Sequence, residues 1–270
     1  MFLTLPYKEI VSVNLSYANC PVQSSILNKN SNGSTVSWDY FDKIYCISID
    51  ERPDRREEVK DQFKKTGLSN RVEFVVVEKH PKDCDQGIYE SHLRCLEKGI
   101  QAGAGAILIF EDDIVFDRMS FETLGNCVTF MSENRDWHML FLGCMVKGSQ
   151  RTENRSVLKV KFRSLAHAYA ISRKFAEKLI QTPWQQIPFD DFLRDLNDDR
   201  MYAAYPSFAF QGDSASDNEK YLPLDRFRRL CGGLRRLQKL NEFYHLNRSA
   251  IITVHTIAVL LVAILLFWPT

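Results

Sequence analysis

The sequence carries no excess of charge of either sign. Its 35 Lys and Arg stand against 34 Asp and Glu, a balance that argues against a nucleic-acid partner. It has no long apolar run before residue 250, which excludes a chain with many membrane spans. Glycine and proline are sparse, 12 and 9 in 270 residues, which excludes collagen-like and low-complexity classes. Its seven cysteines (20, 46, 84, 95, 127, 144 and 231) are odd in number and contain no C-x-x-C pair. That argues against a zinc ribbon and fits a reducing compartment. No G-x-S-x-G, Walker A or G-x-G-x-x-G motif occurs, so hydrolase, P-loop and dinucleotide readings lose their support. Met1 to Pro6 lacks the basic and apolar regions of a secretory signal.

What is present is a globular composition, 45% hydrophobic and 26% charged, in a chain long enough to bury its own core. The charge is unevenly placed. Residues 221–249 hold seven Lys/Arg against Asp225 and Glu242, and nothing charged follows. A mildly acidic body therefore joins a basic neck. Phe227, Leu230, Leu234, Leu237 and Leu240 recur in that neck at helical spacing. This suits either a helix lying on an anionic membrane surface or one packed on the body. Ala250 to Trp268 is apolar throughout apart from His255 and two threonines. As a helix it would be roughly 28 Å long, close to the thickness of a bilayer core. Basic residues before a span predict a body on the cytoplasmic side. Four N-x-S/T sequons, at Asn14, Asn32, Asn154 and Asn247, would matter only to a luminal body.

The domain organisation expected is a variable lead-in over 1–38, a catalytic body over 39–220, the neck over 221–249 and a transmembrane helix over 250–269. Within the body, short apolar runs alternate with helical patterns. Strands are expected at 43–49, 72–78, 106–110 and 138–143, with helices at 54–68, 87–102 and 120–133 between them. That order implies a doubly wound, parallel α/β sheet with helices on both faces. The second half reads as an exposed hairpin strand at 157–162, a strand at 166–172, a helix from 172, a short helix at 190–196 and a last strand at 201–206.

Ligands of such sheets bind beyond the carboxyl ends of the strands. Glu111-Asp112-Asp113 directly follows the run AILIF. Three adjacent acids repel one another unless solvated or shared with a cation, and their hard oxygens suit Mg²⁺ or Mn²⁺. A second acidic pair, Asp190-Asp191, lies between Phe189 and Phe192; it reads equally as a general base or as the start of a short helix. Arg52, Arg55 and Arg56 follow the first strand and suit either a diphosphate or a solvated helical turn. His92 and His167, taken alone, read as structural. Clustered carboxylates also serve phospho-receivers and phosphohydrolases, but there the acids follow the first strand, where this chain is Arg-rich.

Taken in order, five stretches resemble glycosyltransferase family 25, the family of lipopolysaccharide and collagen galactosyltransferases. They are IYCISIDERPDRREEV (44–59), GIYESHLRCLEKGIQAGAGAILIFEDDIVF (87–116), AHAYAISRKFAEKLI (166–180), PFDDFL (188–193) and YPSFAFQGDSASD (205–217). Phe110 stands where the family often has Leu, and the apolar tail is not part of the family pattern. The resemblance implies a GT-A fold, Rossmann-like and mostly parallel. It implies an inverting, metal-dependent transfer of a hexose, galactose or glucose, from a UDP-sugar to a glycan or lipid-linked acceptor such as lipopolysaccharide. Under it Glu111 and Asp113 hold Mn²⁺ or Mg²⁺. Arg52, Arg55, His92, Asp112, Gln211 and Ser214 contact the donor, and Asp190, with Asp191 as alternative, is the base. A catalytically silent donor-binding or scaffold protein of the same fold is the alternative.

Overall fold

The computed structural model describes residues 38–212 and 232–267. The Asn28–Ser37 loop, Ser214, Phe227, Leu230 and Trp268 lie outside the described residues. In chain order the elements are β1 (Lys43–Ile49), α1 (Pro53–Lys65), β2 (Val72–Val77), α2 (Cys84–Gln101), β3 (Ala106–Glu111), β4 (Ile114–Phe116), α3 (Phe121–Glu133), β5 (Met139–Phe141), β6 (Met145–Arg151), β7 (Val157–Ser164), β8 (Ala168–Ser172), α4 (Arg173–Leu179), α5 (Phe189–Asp195), β9 (Met201–Ala204), β10 (Ala209–Gln211), α6 (Gly233–Leu246) and α7 (Arg248–Phe267).

Eight strands form one sheet in the order β2-β1-β3-β8-β5-β9-β7-β6, and β4 pairs with β10 in a separate ribbon. Six of the eight run one way; β7 and β8 oppose them. The architecture is the mostly parallel α/β sheet expected, with helices on both faces. Two cores make this possible. Ile107 and Ile109 of β3 pack with Tyr89, Leu96, Phe175 and Phe189 on one side. Leu108 and Phe110 pack with Val59, Phe63, Leu124 and Phe130 on the other. A strand covered on both faces reads as an unbroken apolar run, which is what AILIF is.

Local chemistry starts the helices where the spacing suggests. Pro53 opens α1, its fixed φ costing nothing at a first helical position. The Asp83 side chain caps α2, accepting from the Asp85 and Gln86 amides at 2.8 and 3.3 Å. Ser120 does the same for α3 through Thr123.

The sheet differs from a strictly parallel one at β8, which slots antiparallel between β3 and β5. Three elements went unforeseen: β6, β4 and β10. β6 is polar and exposed on its outer half, and the ribbon strands have three residues each, too few to show a period. β6 changes the reading of β7. β7 is the hairpin strand expected, with β6 as its partner, but it is not exposed: it lies between β6 and β9 and buries alternate residues.

The neck helix α6 packs on the body. Gln238 is fully buried, and its amide donates to the Ala209 carbonyl at 3.0 Å. The Asn241 side chain accepts from the Val146 N–H at 2.8 Å and donates to the Val146 carbonyl at 3.1 Å, as an adjoining strand would. The apolar stripe read from the sequence divides: Leu234 and Leu237 are half-buried, whereas Leu240 is exposed. α7 is long and apolar enough to cross a membrane, and its apolar length is not buried against any of the described residues. The amide groups of Asn154 and Asn247 are both engaged, Asn154 donating to the Asn126 carbonyl of α3 and Asn247 to the Phe243 carbonyl at the end of α6.

Gly143 is where β5, β10 and α6 meet. An added Cβ would overlap the Ala209 carbonyl and the Gln238 amide. Gly143→Ala should therefore destabilise the protein by about 3 kcal/mol. Gly148→Ala, at a site with open space, should change stability by no more than about 0.5 kcal/mol. Urea unfolding of both variants in detergent checks the contrast.

Candidate active site

β3 delivers its three acids to three different places. Glu111 continues the alternation of Ile107 and Ile109 and turns toward α2. There its Oε1 lies 3.4 Å from His92 Nε2. Asp112 turns toward α1 and pairs with Arg55 Nη1 at 3.5 Å, both side chains nearly buried. Asp113 sits at the start of the β4–β10 ribbon, where Gln211 Nε2 donates to its Oδ2 at 2.9 Å. The same ribbon holds the acidic turn from below, because the Gly212 N–H donates to the Asp113 carbonyl at 2.7 Å.

The fold then brings in a residue from far along the chain. Residues 165–167 cross from β7 to β8, and the Glu111 N–H donates to the His167 carbonyl at 2.9 Å, which sets this crossing at the end of β3. Leu165 takes φ 72°, a left-handed conformation that a branched side chain rarely adopts. Asp190, in the first turn of α5, clamps this crossing. Its two oxygens accept from the Leu165 and Ala166 N–H groups at 2.8 and 3.0 Å. Asp191, one residue on, points away and pairs with Arg194. Of the two acids read from this motif, Asp190 is the one that meets the β3 edge.

His92 links the two halves. It is buried, stacks face to face on Phe189 at 4.0 Å, and its Nδ1 lies 3.0 Å from the Tyr169 hydroxyl. Burial lowers its pKa to about 3, so the ring is neutral. A Tyr169 O–H donating to Nδ1 leaves Nε2–H to face Glu111, and this arrangement uses every group. His92 therefore reaches the site through Glu111 and not by an open face. His167, by contrast, is fully enclosed, with a pKa lowered by burial to about 4.

Charge is stored here. Burial first, then Asp112, raises Glu111 to about 7. Burial first, then Glu111, raises Asp113 to about 7 against the bond from Gln211. Asp190 is raised to about 6 by burial, with Glu111 adding to it, against its two backbone bonds. All three keep some contact with solvent. Beside Asp112 and Asp113 opens a cleft of about 450 Å³, lined also by Glu58 and Gln62 of α1, Gly212 and Arg235 of α6.

Among the described residues no group of three His, Cys, Asp or Glu side chains is gathered to hold a metal ion. The acids nonetheless suit a cation that completes its shell elsewhere. Asp112 Oδ2 and Asp113 Oδ1 are cut off from solvent and have no hydrogen-bond partner among the described residues. Mg²⁺ commonly takes one or two carboxylates, its other ligands being water and substrate phosphates.

Of the other sequence candidates, Arg52 is held by Asp54 in an exposed ion pair at 2.8 Å. Arg56 caps the end of β1, donating to the Asp50 carbonyl at 3.0 Å. Sequence reasoning missed Tyr169, which looked like one more apolar strand residue, and Arg235, which looked like one more neck charge. No local pattern marks either, because each acquires its role from an element distant in sequence.

No protein-family model matches the chain. Among solved structures, it is similar to A197 from STIV, with TM-score 0.41 and 12% identity over 63% of this chain and 85% of that one. It is similar to a glycosyltransferase involved in the glycosylation of the major capsid of PBCV-1, with TM-score 0.36 and 11% identity over 70% and 99%. It is also similar to the galactosyltransferase LgtC in complex with donor and acceptor sugar analogues, with TM-score 0.32 and 11% identity over 71% and 96%.

The raised acids set a pH dependence of stability. Between the ordinary carboxylate range near 4 and their folded values near 7, the folded state holds more protons than the unfolded one. Their stabilising contribution is thus full at low pH and lost as pH rises through about 7. Glu111→Gln and Asp113→Asn should remove this loss. Each variant should melt higher than the parent at pH 8, with little difference at pH 5. Thermal unfolding across that range measures it.

Proposed function

We propose that the chain is an inverting glycosyltransferase. It moves a hexose, galactose or glucose, from a UDP-sugar to a glycan or lipid-linked acceptor such as lipopolysaccharide, with Mn²⁺ or Mg²⁺ at the edge of β3. One observation carries this reading. Asp113 and Asp112 each present an unpartnered, enclosed carboxylate oxygen beside an open cleft, with a second acid, Asp190, set apart from them yet close enough to feel Glu111. An acid that can take a cation, Asp113, and a separate base, Asp190, are the parts that a single-displacement sugar transfer needs. The resemblance to glycosyltransferase family 25 supports the reading, since it implies a cation ligand at Asp113 and the base at Asp190.

Glu111 and Asp113 would hold the cation, which when bound supplies Lewis-acid stabilisation of the departing diphosphate. Gln211 orients Asp113 by engaging Oδ2 and leaving Oδ1 for the cation. Arg55 pairs with Asp112 in a buried setting. His92, held by Tyr169 and Phe189, fixes the direction of Glu111. Asp190 takes the proton from the acceptor hydroxyl. The freed oxygen attacks the anomeric carbon from the face opposite the diphosphate, and the bond to the diphosphate breaks. A carboxyl near 6 suits this task, being ionised at neutral pH yet more basic than an ordinary Asp. α7 would anchor the enzyme in a membrane, with the body on the cytoplasmic side. A second reading, donor binding without turnover, is favoured by the two backbone bonds that already engage Asp190.

Three measurements test the proposal on the full chain in detergent. Calorimetry against UDP-, GDP- and CMP-sugars, with and without Mn²⁺, should show metal-dependent binding of one UDP-sugar. Binding of none by a folded protein would overturn it. Mn²⁺ alone should raise the melting temperature at pH 8 in the parent and not in Asp113→Ala, which should also lose turnover. Finally, kcat/KM at saturating Mn²⁺ should rise with pH through about 6 as Asp190 ionises. Asp190→Asn should abolish that limb and lower turnover about 10²–10⁴-fold with donor binding retained, whereas Asp191→Asn should keep the limb. Donor binding with no transfer to any acceptor would select the silent reading.

A further inference from the structure

α6 has two faces, and the docking described above fixes which is which. Gln238, Asn241 and Glu242 bind the body, Glu242 accepting from the Ser207 N–H at 2.7 Å. Leu246 packs against the core. The helix cannot roll without breaking these bonds. Its outward face therefore carries Arg236, Leu240, Phe243 and Tyr244, at helical spacings of three and four. A helix docked on a soluble body keeps its outer face polar. Here Leu240 is 53% exposed, Phe243 61% and Tyr244 43%. α6 itself sets no acid on this face, since its one acid, Glu242, is turned inward. Arg236 and Arg248 stand exposed at its two ends.

The position of this face along the chain identifies its occupant. α7 begins at Arg248, one residue after α6 ends. At 1.5 Å per residue, Phe243 and Tyr244 precede that start by about 6–8 Å along a helix axis. The headgroup layer on each side of a bilayer core is about 5–8 Å deep. If α6 and α7 run coaxially, these side chains fall within that layer. If the chain bends at Asn247, whose backbone is not helical, α6 lies in the plane of the layer. Both geometries bring Phe243 and Tyr244 to the interface. The chemistry agrees: aromatic and Arg side chains gather at this depth. A second copy of the chain is a poorer fit, because three apolar side chains fall well short of the roughly 800 Å² per partner of a stable interface.

We infer that the outer face of α6 is a bilayer-interface surface, on which Leu240, Phe243 and Tyr244 seat among lipid headgroups while Arg236 and Arg248 meet anionic phosphates. This rests on the reading of α7 as a membrane anchor. It adds that the body does not swing freely from that anchor. The neighbouring Arg235 lines the acidic cleft, so one helix ties the cleft to the membrane surface. An acceptor carried on a lipid headgroup is thereby favoured over one in bulk solution.

The test places a photo-crosslinking p-benzoylphenylalanine in the full chain, reconstituted in phosphatidylcholine–phosphatidylglycerol vesicles. It replaces Phe243 or Leu240 in turn, with Ile257 of α7 and Val76 of β2, at the opposite edge of the sheet, as controls. Phospholipid adducts at 243 and 240 within a few-fold of the yield at 257, with none at 76, are expected. Adducts at 257 but at neither 243 nor 240 would overturn the surface and leave the anchor standing. No lipid adduct at 257 would overturn the anchor and this inference with it. Chain-to-chain adducts at 243 would give the face to a second copy.

Discussion

β3 is covered on both faces, and that constraint governs the site. A strand with cores on either side can end only at the sheet edge, so its first polar residues emerge there together. Side chains then alternate: Glu111 turns to the α2 side, Asp112 to the α1 side, and Asp113 enters the ribbon. Spreading the acids in this way lowers their mutual repulsion without removing it. Asp112 still raises Glu111, and Glu111 still raises Asp113. The sheet holds a charge density that the fold alone does not satisfy, a common condition of functional sites.

The rest of the architecture holds this edge in shape. The β4–β10 ribbon has only three residues per strand, yet it supplies Gln211 and the Gly212 N–H to Asp113. It is itself held where Gly143 lets the Ala209 backbone come close and Gln238 of α6 closes over it. On the other side, the crossing from β7 to β8 reaches the end of β3 by way of Leu165, in a conformation that costs about 1–3 kcal/mol. The Asp190 clamp offsets that strain. Asp190 is thus bound into the backbone and into the electrostatics of the site at once.

α6 extends the same logic to the end of the chain. Its polar side chains are spent inward on the backbone of β6 and β10, which leaves its outer face apolar. A basic, amphipathic segment in sequence becomes a helix whose buried face is largely amide chemistry and whose exposed face is Leu, Phe and Tyr. This inverts the usual allotment for a helix on a soluble body. The inversion is understandable only with α7 beside it.

The sequence by itself determined the elements whose signals are local. Double burial of β1 and β3 shows as continuous apolar runs, α1, α2 and α3 show as helical spacing between turn residues, and α7 shows as an uninterrupted apolar stretch. The acidic triplet was legible because it ends such a run. The antiparallel insertion of β8, the ribbon, the polar strand β6 and the inward face of α6 were decided only by tertiary structure. Each depends on hydrogen bonds between segments far apart in the chain, Gln238 to Ala209 and Asp190 to Leu165 among them. Such bonds leave no period in either partner. The pairing of Asp190, rather than Asp191, with the β3 edge is of the same kind. Two adjacent acids are alike in sequence, and only the turn of α5 points one at Glu111's neighbourhood and the other at Arg194.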